Sequence, residues 1–303
     1  MRIIAITLIL LLVIIAFITL MHRAYDGFSN NMEYNIPRIT WSYWEGEPMP
    51  EIVKLAHERR QKKLTGWEVN MLSPETVGKY IDMSTVPANY KTLSPQHKAD
   101  WIRVALMARH GGVWLDSTII INDSDSLNRL IKASEERKSE FTGFTTFTEH
   151  GDYSYIENWF IMAPKNSEFI KALYNEYTHA INIGFSTYKA QLVNETDIKI
   201  SKKIYDYDND NTYLTQHACI QAVMQKRLDR RPRMLLNRAE ESMYKLHHNC
   251  KWDIPCLHNS INNKETYDIP YLKLSSATRD FDINKYFGEG FNSSIGYRID
   301  WAA

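Results

Sequence analysis

Three cysteines in 303 residues are too few for a disulfide scaffold or a four-cysteine zinc site. Net charge is missing as well, since 36 Lys and Arg balance 36 Asp and Glu. A nucleic-acid binder would carry a basic excess or a basic stripe, so no nucleic-acid partner is expected. No internal repeat is present. What remains is ordinary for a globular chain: 44% hydrophobic and 24% charged residues, far from the disordered regime.

One hydrophobic run stands apart from that average. Ile3 to Met21 holds 19 residues without a charge, a Gly or a Pro. As a helix it spans about 28 Å, close to the hydrocarbon core of a bilayer. A cleaved signal peptide competes, but its apolar core is about 7–15 residues long and small residues precede the cut. Here Met21, His22 and Arg23 stand in their place. The expectation is a retained signal-anchor transmembrane helix over 1–22, a polar stem over 23–36 and a globular domain over 37–303. A single-pass, type II arrangement suits the short N-terminus, although Arg2 on one side and Arg23 and Arg38 on the other leave little charge bias.

From Pro37 onward the pattern is that of folded structure. Ile39, Trp41 and Tyr43 alternate with Arg38, Thr40 and Ser42, which predicts a strand ending in a turn over 44–48. Pro50 at the first helical position opens a helix to Lys63, and 67–72 reads as a second strand. Ser73-Pro74-Glu75 is expected to open another helix. A long helix runs from Pro95 to His110, stopped by Gly111-Gly112. Val113-Trp114-Leu115 then forms a strand that Ile119-Ile120-Ile121 is expected to continue. Segments 140–147 and 159–162 read as buried strands, 167–180 and 217–228 as helices, and 194–212 as a polar loop. Alternating strands and helices point to an α/β fold with a mostly parallel sheet flanked by helices.

The chemistry concentrates between Gln96 and Ile121. Asp100 and Arg103, three residues apart on a helix, share one face. Asp116 closes the strand that follows the glycine pair, at the end where open α/β sheets bind ligands. Thr118, two residues further along an extended chain, would face the same side. Taken singly, the pair could be a solvated ion pair and Asp116 a turn residue. Together, and in this order, they describe a site for a polyhydroxylated or phosphorylated ligand.

This run resembles the core of glycosyltransferase family 32 and of the related capsular polysaccharide synthesis proteins. Their shared pattern is a small residue, Asp, two residues, Arg, an apolar helix, Gly-Gly, and an aromatic-Leu-Asp ending. Ile36-Pro37-Arg38-Ile39 with Trp44 and Pro48, Trp67-Glu68-Val69, Glu157-Asn158-Trp159-Phe160 and Leu272-Lys273-Leu274 extend the likeness from Pro37 to about Ser275. The resemblance implies a nucleotide-binding α/β sandwich of GT-A type. It also implies transfer of a hexose-type sugar from a nucleotide-sugar donor, UDP-linked by expectation, to a glycan acceptor with retention of configuration. Trp44 then resembles the aromatic that stacks on uracil, Asp100 and Arg103 the pair that orients the donor, and Asp116 the first acid of the DXD motif. Mn²⁺ or Mg²⁺ would be the implied cofactor, stabilising the departing nucleotide. Thr118 stands where relatives carry the second acid, so a metal would rest on Asp116 and a distal group, for which His217 is the candidate. That same Thr118 motivates the alternative of a catalytically silent, membrane-tethered glycan or nucleotide-sugar binding protein.

Other signals are weaker. Asp206, Asp208 and Asp210 imitate a calcium loop, but Asn211 replaces the required Gly and His217 the closing Glu. Cys250 and Cys256 form a disulfide in an oxidising lumen or stay free thiols in cytosol. Acceptor sequons for N-glycosylation begin at Asn122, Asn194 and Asn292. The expected location is the Golgi membrane of a eukaryote or the inner membrane of a bacterium. No residue stands out as nucleophile or general base.

Overall fold

The strand expected from Ile39 forms as β1 (Ile39–Tyr43), but its polar partners are buried with its apolar ones: Thr40 is 1% and Ser42 0% exposed. Burial on both faces is the mark of a central strand. The structure is a computed structural model that describes residues 34–146, 155–201, 212–262 and 269–275, with Ile14 and Ile204 besides. Residues Met1–Tyr34 and Asn35–Ala303 group as two separate units, and the second holds every element below. Except for Ile14, the expected transmembrane segment lies outside the described residues, as do most of the stem, the acidic positions 206, 208 and 210, and Asn292. Among the described residues no helix is long and apolar enough to cross a membrane.

β1 is an interior strand, second from one edge, of a six-stranded sheet with β2 (Glu68–Leu72), β3 (Gly112–Leu115), β5 (Phe141–Thr145), β6 (Phe160–Ala163) and β7 (Met234–Arg238), in the order β2-β1-β3-β6-β5-β7. The pairs β1–β2, β1–β3 and β5–β7 are parallel, and β6 runs antiparallel to both of its neighbours. The sheet is thus mostly parallel, with one reversed strand. Successive side chains on β3 and β6 point to opposite faces. Trp114, Ile161 and Ala163 join one core, while Val113, Leu115, Phe160 and Met162 join the other. Helices cover the first face: α2 (Pro95–His110), α4 (Glu168–Ile183), α5 (Phe185–Asn194) and α6 (Thr215–Gln225). The second face receives Leu127 and Ile131 of α3 (Ser124–Glu136).

α2 is the element on which the site depends. Ser94 accepts from the His97 N–H, Pro95 stands at the first helical position, and Gly111 ends the helix with φ +67°. Trp101, Ile102, Val104, Leu106 and Met107 are all fully buried, each large side chain contributing about 1.5–3 kcal/mol on burial. Leu106→Ala alone would cost about 2–5 kcal/mol.

Three sequence expectations need correction. α1 (Glu51–Lys63) starts one residue later than expected, with Pro50 as its N-cap. After Ser73 there is no α-helix; Val77–Lys79, Met83–Thr85 and Tyr90–Thr92 are single 3₁₀ turns. The Asp82 side chain accepts from the Ser84 N–H, the local bonding that competes with a continuous helix. Nor does Ile119-Ile120-Ile121 continue β3. The Ile119 N–H returns to Asp116 O at 3.0 Å, and β4 (Ile119–Ile121) leaves the main sheet. It pairs antiparallel with β8 (Tyr271–Lys273), matching Ile119 to Lys273. The region before β8 holds two short helices, α7 (Lys245–Asn249) and α8 (Ile254–Asn262), with Cys250 and Cys256 joined as a disulfide.

Candidate active site

The glycine pair sets the spacing between helix and strand. A Cβ on Gly112 would stand 2.6 Å from Ile39 O, and Gly112 has φ +91°, so only glycine lets the chain pass β1 this closely. The Trp41 indole N–H donates to Gly111 O at 2.9 Å and pins the turn. α2 and β3 are thereby held side by side, and their functional side chains meet.

Arg103 is the hub of that meeting. Its Nη1 donates to Asp100 Oδ1 and to Gln216 Oε1, and its Nη2 to Asp116 Oδ1 at 3.1 Å. The guanidinium lies 4.9 Å from the centre of the Trp114 ring, and the Trp114 indole N–H donates to the same Asp116 oxygen at 3.0 Å. Gln216 closes the network by donating to Asp100 O at 2.7 Å. Asn158 Nδ2 bridges Asp100 Oδ1 and Gln216 Oε1, at 3.1 and 2.9 Å. Two carboxylates thus share one fixed fork, an arrangement Arg makes and Lys cannot.

Electrostatics follow from these contacts. Burial by itself pushes the Asp116 carboxyl up, but the Lys273 ammonium and the Arg103 guanidinium outweigh it and hold the group below its ordinary range. Asp100 behaves alike: burial raises it, and Arg103 and then His97 bring it below the ordinary range. Both are carboxylates at neutral pH. Beneath them Arg60 is 1% exposed and donates to Ser42 Oγ, Ile119 O and Asp116 O. Its burial pushes it down to about 9, so it remains a cation at neutral pH.

A cavity of about 360 Å³ opens over this network, lined by Trp44, Asp100, Arg103, Asp116, Ser117 and His217 among others. Of the residues singled out from sequence, Trp44, Asp100, Arg103, Asp116 and His217 therefore share one space. Thr118 does not line it. Its hydroxyl turns to Leu274 O at 2.9 Å and to Lys273 Nζ at 3.1 Å. The chain at 116–118 is a turn, not the extended strand expected there, which is why Thr118 leaves the side on which Asp116 stands. His217 is 5% exposed, stacks on Tyr155 with ring centres 4.8 Å apart, and places Nε2 3.9 Å from Glu157 Oε2.

The donor set suits Mn²⁺ or Mg²⁺ poorly, because the acid that would hold such an ion beside a donor phosphate is already engaged. Asp116 Oδ1 already meets Arg103 and Trp114, and Oδ2 meets Lys273 at 3.2 Å. Among the described residues no three His, Cys, Asp or Glu are grouped to hold a metal ion.

The family model of the capsular polysaccharide synthesis proteins matches residues 20–264. The chain belongs to this family. A curated relative is the O-glycosyltransferase PaGT of Phomopsis amygdali, 27% identical over 154 residues. That match takes in 46% of this chain but only 37% of PaGT, so the chain spans little more than a third of that relative. Among solved structures, a glycosyltransferase involved in the glycosylation of the major capsid of PBCV-1 gives a TM-score of 0.41 at 14% identity, over 80% of this chain and 98% of that one. The PaToxG glycosyltransferase gives 0.38 at 12%, over 88% and 86%.

Sequence reading missed Lys273, Gln216, Asn158 and Arg60 as members of this network. Asn158 and Lys273 do lie in stretches that carried the resemblance, and Gln216 precedes His217. Nothing local marks any of them, because each reaches the network from an element distant in sequence.

Proposed function

We propose that this protein is a glycosyltransferase of GT-A type that moves a hexose-type sugar from a nucleotide-sugar donor to a hydroxyl of a glycan acceptor. The observation that carries this reading is the convergence of Asp100, Arg103 and Asp116 on one cavity that Trp44 also lines. Two ionised carboxylates held by a guanidinium are good acceptors for sugar and ribose hydroxyls. The Trp44 ring offers a face on which a base can stack, worth about 1–3 kcal/mol. Membership of the capsular family and the likeness to PaGT support the same reaction class.

Arg103 has a role in addition to the donor orientation that the resemblance implies. Three of its five N–H donors go to Asp100, Gln216 and Asp116, so it positions the two acids as well as facing the donor. In the proposed reaction the bond from the anomeric carbon to the diphosphate oxygen breaks, and the diphosphate leaves with the electron pair. The acceptor oxygen bonds the same carbon from the same face, which retains configuration, and its proton passes to the departing phosphate. No protein nucleophile is needed. A UDP-linked donor and anchoring to a membrane by the segment 1–22 complete the proposal.

The test is turnover by the full-length protein with a panel of UDP- and GDP-hexoses. Release of nucleoside diphosphate is expected from one donor, and Asp116→Asn should lower it at least a hundredfold. Asp116→Asn should also cost about 1–3 kcal/mol of stability, because it leaves Arg103 and Lys273 partly unpaired. Binding of a donor without any turnover would sink the transferase reading in favour of a silent binding protein.

A further inference from the structure

Thr118 stands where a two-acid motif would place its second carboxylate, and the group that meets both positions is an ammonium. Lys273 Nζ lies 3.2 Å from Asp116 Oδ2 and 3.1 Å from Thr118 Oγ1. Thr118 donates its own proton to Leu274 O, so its oxygen accepts from Lys273. An ammonium has three N–H donors, and these two contacts use two of them. Backbone pairing fixes the position: Lys273 is matched to Ile119, three residues beyond Asp116, and its N–H donates to Met243 O at 3.2 Å. The Lys273 side chain is 11% exposed and stands behind Asp116, which is 27% exposed and lines the cavity that Lys273 itself does not line.

The local charge points the same way. Arg60, Arg103 and Lys273 all touch Asp116, through its backbone or its carboxylate, and Asp100 is the one further acid that shares Arg103. Cations outnumber carboxylates here before any ligand arrives. A divalent ion seated between positions 116 and 118 would have to displace Lys273 or lie against its positive charge, which disfavours it. A phosphate group meets the opposite situation. It finds a fixed cation with a donor to spare, the point-charge type of phosphate contact that Lys makes.

Resting on the donor reading above, we propose that Lys273 takes the place between the two motif positions that a divalent cation would need, and that its ammonium receives the diphosphate of the nucleotide-sugar donor without metal. The departing diphosphate is then stabilised by charge already built into the fold, with no ion to recruit.

Calorimetry on the full-length protein, treated with EDTA and titrated with UDP and with GDP, tests this directly. One of the two is expected to bind metal-free protein, with Mn²⁺ changing the Kd by less than about threefold. Lys273→Met should weaken that binding at least tenfold, or about 1.4 kcal/mol, and Lys273→Arg should recover most of it. Binding that appears only with Mn²⁺ overturns the role of Lys273 and leaves the donor reading standing. Full metal-free binding by a folded Lys273→Met protein overturns it too. No binding of either nucleotide, with or without Mn²⁺, overturns the donor reading itself and this inference with it. Should Lys273→Met not fold, the wild-type titration decides: metal-free binding upholds the proposal and a strict Mn²⁺ requirement overturns it.

Discussion

Arg103 Nη2 lies 3.1 Å from Asp116 Oδ1, while its Nη1 holds Asp100. One guanidinium therefore separates two carboxylates that would otherwise repel each other in a buried place. The same contact ties the end of β3 to the helix that precedes it. Charge balance, side-chain orientation and the junction of two elements all depend on this planar group.

Arg103→Lys should therefore act as a severe substitution. A single ammonium cannot serve Asp100, Gln216 and Asp116 at once. Turnover should fall about 10- to 100-fold, and the variant should lose about 1–3 kcal/mol from the unmatched buried acceptors. Kinetics with the active donor and urea unfolding measure the two effects separately. Unchanged kcat/KM would show that the fork does not orient the acids for the reaction.

Stability should also fall as pH drops from about 6.5 to 4. Burial, helped by the Lys273 charge, pushes His247 down to about 4 from an ordinary 6.5. Among the described residues neither ring nitrogen has a hydrogen-bond partner, and the ring packs on Tyr244 and Trp252. Between those pH values the unfolded chain binds a proton that the folded chain resists. The stabilisation is thus complete above 6.5 and declines as pH falls toward 4. Urea midpoints at pH 7 and pH 5 should differ less for His247→Phe than for the wild type. His57 and His258, also lowered by burial, leave a residual slope.

Gly112→Ala should damage the site from beneath. The added methyl would stand 2.6 Å from Ile39 O, in a backbone conformation that disfavours L side chains. Overpacking and the positive φ together should cost about 2–4 kcal/mol. Denaturant unfolding gives the loss. A midpoint equal to wild type would mean that β1 and β3 are not held as closely as described.

The part of the site that sequence reveals is the part made by one continuous stretch. α2 was legible because the apolar run from about Pro95 is closed by the glycine pair, and Asp100 and Arg103 lie in that helix while Asp116 directly follows β3. The departure of β4 from β3 was not legible. Asp116-Ser117-Thr118 carries no Gly or Pro to announce a turn, and the partner that draws the isoleucines away is β8, some 150 residues later. Lys273 and Gln216 stayed hidden for the same reason, being 157 residues from Asp116 and 113 from Arg103. The helix expected after Ser73 failed differently, since Asp82 offered the backbone a local alternative.

The ribbon formed by β4 and β8 gives biosynthesis a say in when the protein becomes competent. Helix, glycine step and Asp116 leave the ribosome long before the residue that answers Asp116 from the far end of the chain. A polypeptide cut short before Tyr271 would carry the acid without that counter-ion and leave β4 with an open edge. Such fragments should be inert as well as unstable, so β8 acts as a completeness check on the elements described before it.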